Sequence, residues 1–290
     1  MKKFVPARGK SRNQECRTTA WWAEHFRRDL QRDWTIPWES GALLVDADVE
    51  RIAASIAEFQ RGESAEARTY LARSERFSRD ANDPAFHEAS KLFIQAENAH
   101  AALLLRFMER TGIPRRENSS RYGVFRWLRH LGDLGWASRV LLVAELIAQE
   151  YYPCLRRATD HPALVRICDR IVAEEMAHIR FQVERIARVE TAQSRAAVAL
   201  RDVLQGVLMA GAACVVYAGH RRVLAVRLSC GEFLSRVFVR QRRALAAMCR
   251  LRAASAGRRE RNAYGALLVG ATTGAAGRGP RPPEPPDCFR

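Results

Sequence analysis

The chain lacks the marks of an exported or membrane-spanning protein. Its seven cysteines are odd in number and none forms a C-x-x-C pair, so neither a disulfide framework nor a thiolate zinc site is indicated. The opening MKKFVPARGKSRNQE is basic but has no apolar run of the kind a secretory signal needs. The most apolar stretch, Val203 to Ala218, is 16 residues with Arg201, Asp202 and Arg221 close by. That is short for a bilayer span, so a buried helix and a cytoplasmic location are expected. Glycine (17) and proline (11) are sparse in 290 residues and crowd toward the C-terminus. The body, poor in helix breakers, reads as helical, and a 48% hydrophobic content suits one sizeable core.

Acidic residues are scarce only at the ends. Residues 1–34 carry nine Lys/Arg against four Asp/Glu, 219–255 nine against one, and 256–290 six against three, while 35–218 holds 24 of each sign. A neutral body thus bears basic ends, which could hold phosphate or acidic lipid. No nucleic-acid motif accompanies them, and 44 of the 48 basic residues are arginine scattered through apolar sequence.

Turn chemistry divides the body. Asp46 or Asp48 is a plausible N-cap for a helix running to about Ser78. The cluster Asp80-Ala81-Asn82-Asp83-Pro84 is a turn, with Asp83 as N-cap and Pro84 opening a second helix to about Thr111, ended by Gly112 and Pro114. A third helix is expected from about Leu134 to Ala158, then the turn Thr159-Asp160-His161-Pro162 and a fourth from Pro162 to about Glu190. The connections are short, long, short. A crossover of about 20 residues can return the chain along a bundle's full length, joining two antiparallel hairpins. Residues 191–255 read as one or two more helices, interrupted near Gly211 and Ser229-Cys230-Gly231. The expected divisions are a basic arm (1–45), a bundle (46–190), a helical extension (191–255) and a disordered Gly/Pro/Arg-rich tail (256–290).

Two Glu-x-x-His pairs, Glu97 with His100 and Glu175 with His178, place both side chains on one helix face. Glu66 lies about as far before the first turn as Glu97 lies after it, and Glu145 stands likewise to Glu175. The separations are 31 and 30 residues. Each hairpin therefore sets one lone Glu opposite one pair. All sit on apolar stripes, such as Phe86, Ser90, Phe93, Glu97, His100, Leu104 and Phe107, where carboxylates are costly unless paired or metal-bound. Four converging carboxylates could not all stay ionised without cations, and two divalent metals answer that need. Glu63 shares the stripe of Glu66 and competes for its role. Glu174 and Glu150 fall off the stripes and are expected to face solvent or loops.

With these residues in place, the segments FQRGESAEARTYL, FIQAENAHAALLLRF and AEEMAHIRFQVERIA resemble the ferritin-like di-iron carboxylate superfamily, in particular bacterial ferritin-like domain proteins of unassigned function. The resemblance spans about residues 46–190. It implies an all-α ferritin-like four-helix bundle, two Fe ions (or Mn) bound by Glu66, Glu97, His100, Glu145, Glu175 and His178, and reaction with dioxygen or peroxide. Leu104 stands where ribonucleotide reductase small subunits carry a radical tyrosine, and Ile171 where arylamine oxygenases of this class place an extra histidine. The rubredoxin module of rubrerythrins is absent, and storage ferritins lack the extension.

The leading expectation is a non-haem di-iron oxidase or oxygenase with a small apolar substrate, an external electron donor and an apolar pocket beside the metals with the extension at its mouth. A homodimer is a further expectation. The alternatives are an iron-handling ferroxidase or peroxide scavenger, and a metal-free helical module whose Arg-rich ends bind nucleic acid or an anionic membrane surface.

Overall fold

A computed structural model describes residues 17–40, 43–63, 67–116 and 127–273, which are almost wholly helical, with no strand among them. The first hairpin pairs α2 (Asp46–Glu63) and α3 (Arg68–Asp80) with α4 (Pro84–Arg110). The second pairs α5 (Leu134–Leu155) with α6 (Pro162–Val189). The chain is an all-α, ferritin-like bundle.

The turns work largely as their residues dictate. Asn82 adopts a positive φ of 47° and Pro84 opens α4. The Asp83 carboxylate, however, makes no cap bond; it accepts from the Thr19 hydroxyl at 2.8 Å and pairs with Arg188 at 2.6 Å. Gly112, at φ 71°, lets the chain reverse so that the Ile113 amide donates to the Met108 carbonyl, a common helix ending. Asp133 caps α5 by accepting from the Trp136 amide.

Several expectations are corrected. The single first helix to Ser78 is two helices, α2 and α3, and Glu66 lies outside the described residues between them. Within the stretch read as a basic arm, α1 (Thr19–Gln31) packs along α4 and buries Trp22 and Phe26. Aromatic residues spaced four apart amid arginines hide that amphipathic helix. Beyond a 3₁₀ turn at Glu190–Ala192, α7 (Arg195–Gly219) passes Gly211 without a break. After α8 (Arg221–Leu224), α9 (Cys230–Thr273) begins at the second expected interruption. There Ser229 and Glu232 cap one another: the Glu232 carboxylate accepts from the Ser229 amide and the Ser229 hydroxyl from the Glu232 amide. Residues 256–273, read as tail, continue α9; 274–290 lie outside the described residues.

The expectation for Val203–Ala218 is also overturned. Only 22% of the most apolar window of α7 is buried, although the helix is long and apolar enough to cross a membrane. Gln205, Met209, Ala212 and Ala213 face inward, whereas Val203 and Val207 are 64% and 67% exposed. Helical periodicity places those two sets on opposite faces. A run apolar on every face reads as core, but here the bundle covers only one side.

A buried cation ties the extension to the bundle beside a shared apolar core. Arg139 on α5 donates to both oxygens of Glu190 at 2.7 and 2.8 Å, to Asp202 at 2.7 Å and to Gln205 at 2.6 Å. Arg252 of α9 joins the same cluster through Glu190. Glu150 is likewise buried, not solvent-facing, and pairs with Arg236 and Arg240 of α9.

Candidate metal centre

The stripes converge midway along the bundle. Glu97, His100, Glu175 and His178 are all buried, and their ligating atoms lie within 4.8 Å of one another. Glu145 joins them from α5, its Oε2 3.8 Å from His178 Nδ1. Glu63, at the C-terminal end of α2, reaches the same layer: it bonds to Glu97 and accepts a 2.6 Å hydrogen bond from the Tyr152 hydroxyl. The structure thus brings together five of the six residues singled out from the sequence, with Glu63 beside them.

The donor atoms are the informative feature. Glu97 Oε1, His100 Nδ1, Glu145 Oε2, Glu175 Oε2 and His178 Nδ1 are buried without hydrogen-bond partners. His178 Nδ1 and Glu97 Oε1 stand 2.6 Å apart, yet not in hydrogen-bond geometry. Buried polar atoms are nearly always satisfied, so five orphans in one layer, all oxygen or imidazole nitrogen, fit divalent cations in number and type.

Glu174 is the residue that pattern reading misplaced. It is 7% exposed, its Oε2 lies 2.8 Å from His100 Nε2, and its other oxygen accepts from Arg170 Nε at 3.1 Å. With Nε2 so engaged, His100 turns Nδ1 toward the cluster. A carboxylate behind a ligating histidine fixes its tautomer and ring orientation. Glu174 stands four residues before His178 and four after Arg170, a spacing that signals a shared flank of the helix.

Electrostatics divide the carboxylates. Burial first, then the charge on Glu175, pushes Glu97 up to about 8. Burial and neighbouring carboxylates raise Glu63 and Glu145 well above the usual range. Burial opposes charge on Glu175 as well, but a hydrogen bond from Glu145 and the nearby His178 and His100 outweigh it and hold Glu175 at about 2. Burial also disfavours charge on both histidines. The hydrogen bond to Glu174 and the nearby Glu175 carboxylate overcome it for His100, which lies well above the usual value, whereas His178 is lowered. The layer carries more negative charge than its histidines balance, and without cations it must keep protons on some carboxylates.

A cleft of about 1050 Å³, solvent-open space included, lies against this layer. Glu63, Glu97, Glu145 and Glu175 contribute its polar end, and Phe59, Val140, Leu141 and Ile147 its apolar wall. Val215, Val216 and His220 from the end of α7 also line it, as do the charged Glu58 and Arg129. Phe59 stacks flat on Tyr151 at 3.4 Å, and Ser55 bridges the Tyr151 hydroxyl and His220 Nδ1, each at 2.8 Å.

The chain matches no protein-family model and no curated protein. Among solved structures it is similar to an R2-like ligand-binding oxidase with an aerobically reconstituted Mn/Fe cofactor, with a TM-score of 0.59 and 14% identity, covering 79% of this chain and 92% of that one. Two variants of such an oxidase match comparably, one with an aerobically and one with an anaerobically reconstituted Mn/Fe cofactor. Both have TM-scores of 0.60 and cover 80% of this chain and 93% of theirs, at 14% and 13% identity respectively. At such identity the likeness establishes the fold, which is ferritin-like.

Proposed function

We propose that the chain is a dimetal carboxylate oxidase or oxygenase, using iron, manganese or both to react dioxygen with an apolar substrate. The observation that carries this reading is the set of five orphaned donor atoms in one layer, of which the carboxylates Glu97, Glu145 and Glu175 line a largely apolar cleft. The proposed ligands are Glu97, His100, Glu145, Glu175 and His178. Glu63 supplies the further carboxylate from the first hairpin, a place for which the sequence also offers Glu66. Four carboxylates and two imidazoles match the charge and ligand number of a two-ion site. When bound, the pair of ions supplies redox equivalents and open coordination positions for dioxygen.

The chain's own residues set the surroundings. Glu174 holds the His100 ring so that Nδ1 faces the layer. Tyr152 donates to Glu63 and fixes its carboxylate. Phe59, Val140, Leu141 and Ile147 exclude water and admit an apolar molecule next to the reactive end. Reducing equivalents come from an external donor. Mn/Fe cofactors in structures of the same fold support the choice of metals. The cleft favours an oxidase over a ferroxidase or peroxide scavenger, which needs no room for an organic substrate.

Elemental analysis of anaerobically purified protein tests this. About two iron or manganese ions per chain are expected; a well-folded chain that takes up neither Fe(II) nor Mn(II) would overturn the reading.

A further inference from the structure

The outward face of α7 has no counterpart in the metal chemistry. Leu200, Val203, Leu204, Val207 and Val215 are 60%, 64%, 44%, 67% and 45% exposed. Gly211, Cys214 and Ala218 continue the same exposed face, which carries no charged residue from Leu200 to Ala218. This stripe is roughly 27 Å long at 1.5 Å per residue. The largest apolar patch on a protein surface is often functional.

Charge says what the partner is. Exposed Arg195 stands at the start of α7, and exposed Arg221, Arg222 and Arg227 follow its end, with Val226 exposed among them. Residues 219–255 hold nine basic residues and one acidic. An uncharged helix face bounded by arginines fits an anionic bilayer, where apolar side chains enter the acyl boundary and the arginines meet headgroups. Nucleic acid would use the arginines but leave the stripe in water. A second copy would need about 800 Å² per partner, whereas a strip about 27 Å by 10 Å offers roughly a third of that. The helix cannot span the bilayer, because its other face is fastened to the bundle through Met209, Ala213 and the Asp202–Arg139 pair.

We propose that α7 docks the protein on the surface of an anionic membrane, lying in the interface plane. Val215 belongs both to this face and to the wall of the cleft, so docking brings the cleft's rim to the bilayer. The proposal does not depend on the metal reading.

Co-sedimentation of the full chain with phosphatidylcholine vesicles, with and without phosphatidylglycerol, tests it. Binding is expected only to the phosphatidylglycerol-containing vesicles and should weaken with salt. The double substitution Val203→Glu/Val207→Glu, on exposed sites, should lower binding about tenfold or more while leaving thermal unfolding and metal content unchanged. The proposal is overturned if the native chain stays in the supernatant, or if the double variant sediments equally. It also fails if light scattering without lipid shows a dimer that the substitutions split, or if they abolish binding to duplex DNA instead.

Discussion

The two histidines of the centre are related by the hairpin pattern but live in different surroundings. His100 is backed by a carboxylate, which is itself held by Arg170. His178 has aromatic neighbours, its ring edge-on to Phe26 at 5.6 Å and Phe93 at 5.2 Å. Burial is nearly complete at both, yet one is pushed toward the charged form and the other away from it. Matching spacing in sequence therefore does not make the two halves equivalent; the residues packed behind each ring decide its basicity.

Glu175 stands between the halves, approaching His100 at 3.4 Å and His178 at 3.7 Å. Glu175→Ala should have the largest effect, lowering metal content from about two ions per chain to near zero. Retention of both ions on elemental analysis would remove Glu175 from the centre. Glu174→Ala should act on the His100 half alone, weakening one ion about 10- to 100-fold while the other stays. Glu174→Gln, which keeps an acceptor for His100, should restore most of that affinity in competition titrations. Equal weakening of both ions would mean that Glu174 does not discriminate between the halves.

The smallest expected effect is on the metal-free protein. Glu97, at about 8 in the folded chain, lies above the roughly 4.3 of an unfolded Glu. The folded state thus holds this proton more tightly, and the stability it confers is full below about pH 4 and lost as pH rises toward about 8. Glu175 has the opposite sign, but its contribution is lost only as pH falls toward about 2, outside this window. Chelator-treated protein should melt a few degrees lower at about pH 8 than at about pH 6, and Mn(II) should remove the difference. A flat profile would show that the carboxylates are not crowded as the geometry implies.

Much of this was legible in the chain. Asp-Pro and His-Pro turns marked both hairpins because proline fixes a helix start, and paired Glu-x-x-His spacing marked the layer because i and i+3 share a face. Less legible were features set by partners distant in sequence. Glu174 lies one residue off the stripe, and only the approach of α4 turns that flank inward toward His100. The break after Glu63 carries no proline, and Gly62 before it lies inside α2, where a single glycine is tolerated. The exposure of α7 was unreadable because apolar composition states what a helix prefers to touch, not which of its faces the rest of the chain is large enough to cover.

Arg139 gives the architecture a lasting consequence. A guanidinium stays charged under any ordinary condition, and this one answers at once to the end of the bundle through Glu190 and to α7 through Asp202 and Gln205. The later helices are therefore not an accessory that could be trimmed or exchanged at leisure. Removing them would take away the Asp202 and Gln205 partners, leave Glu190 as the only counter-charge and uncover apolar surface, so the wall they lend to the cleft is inherited with the fold's own integrity.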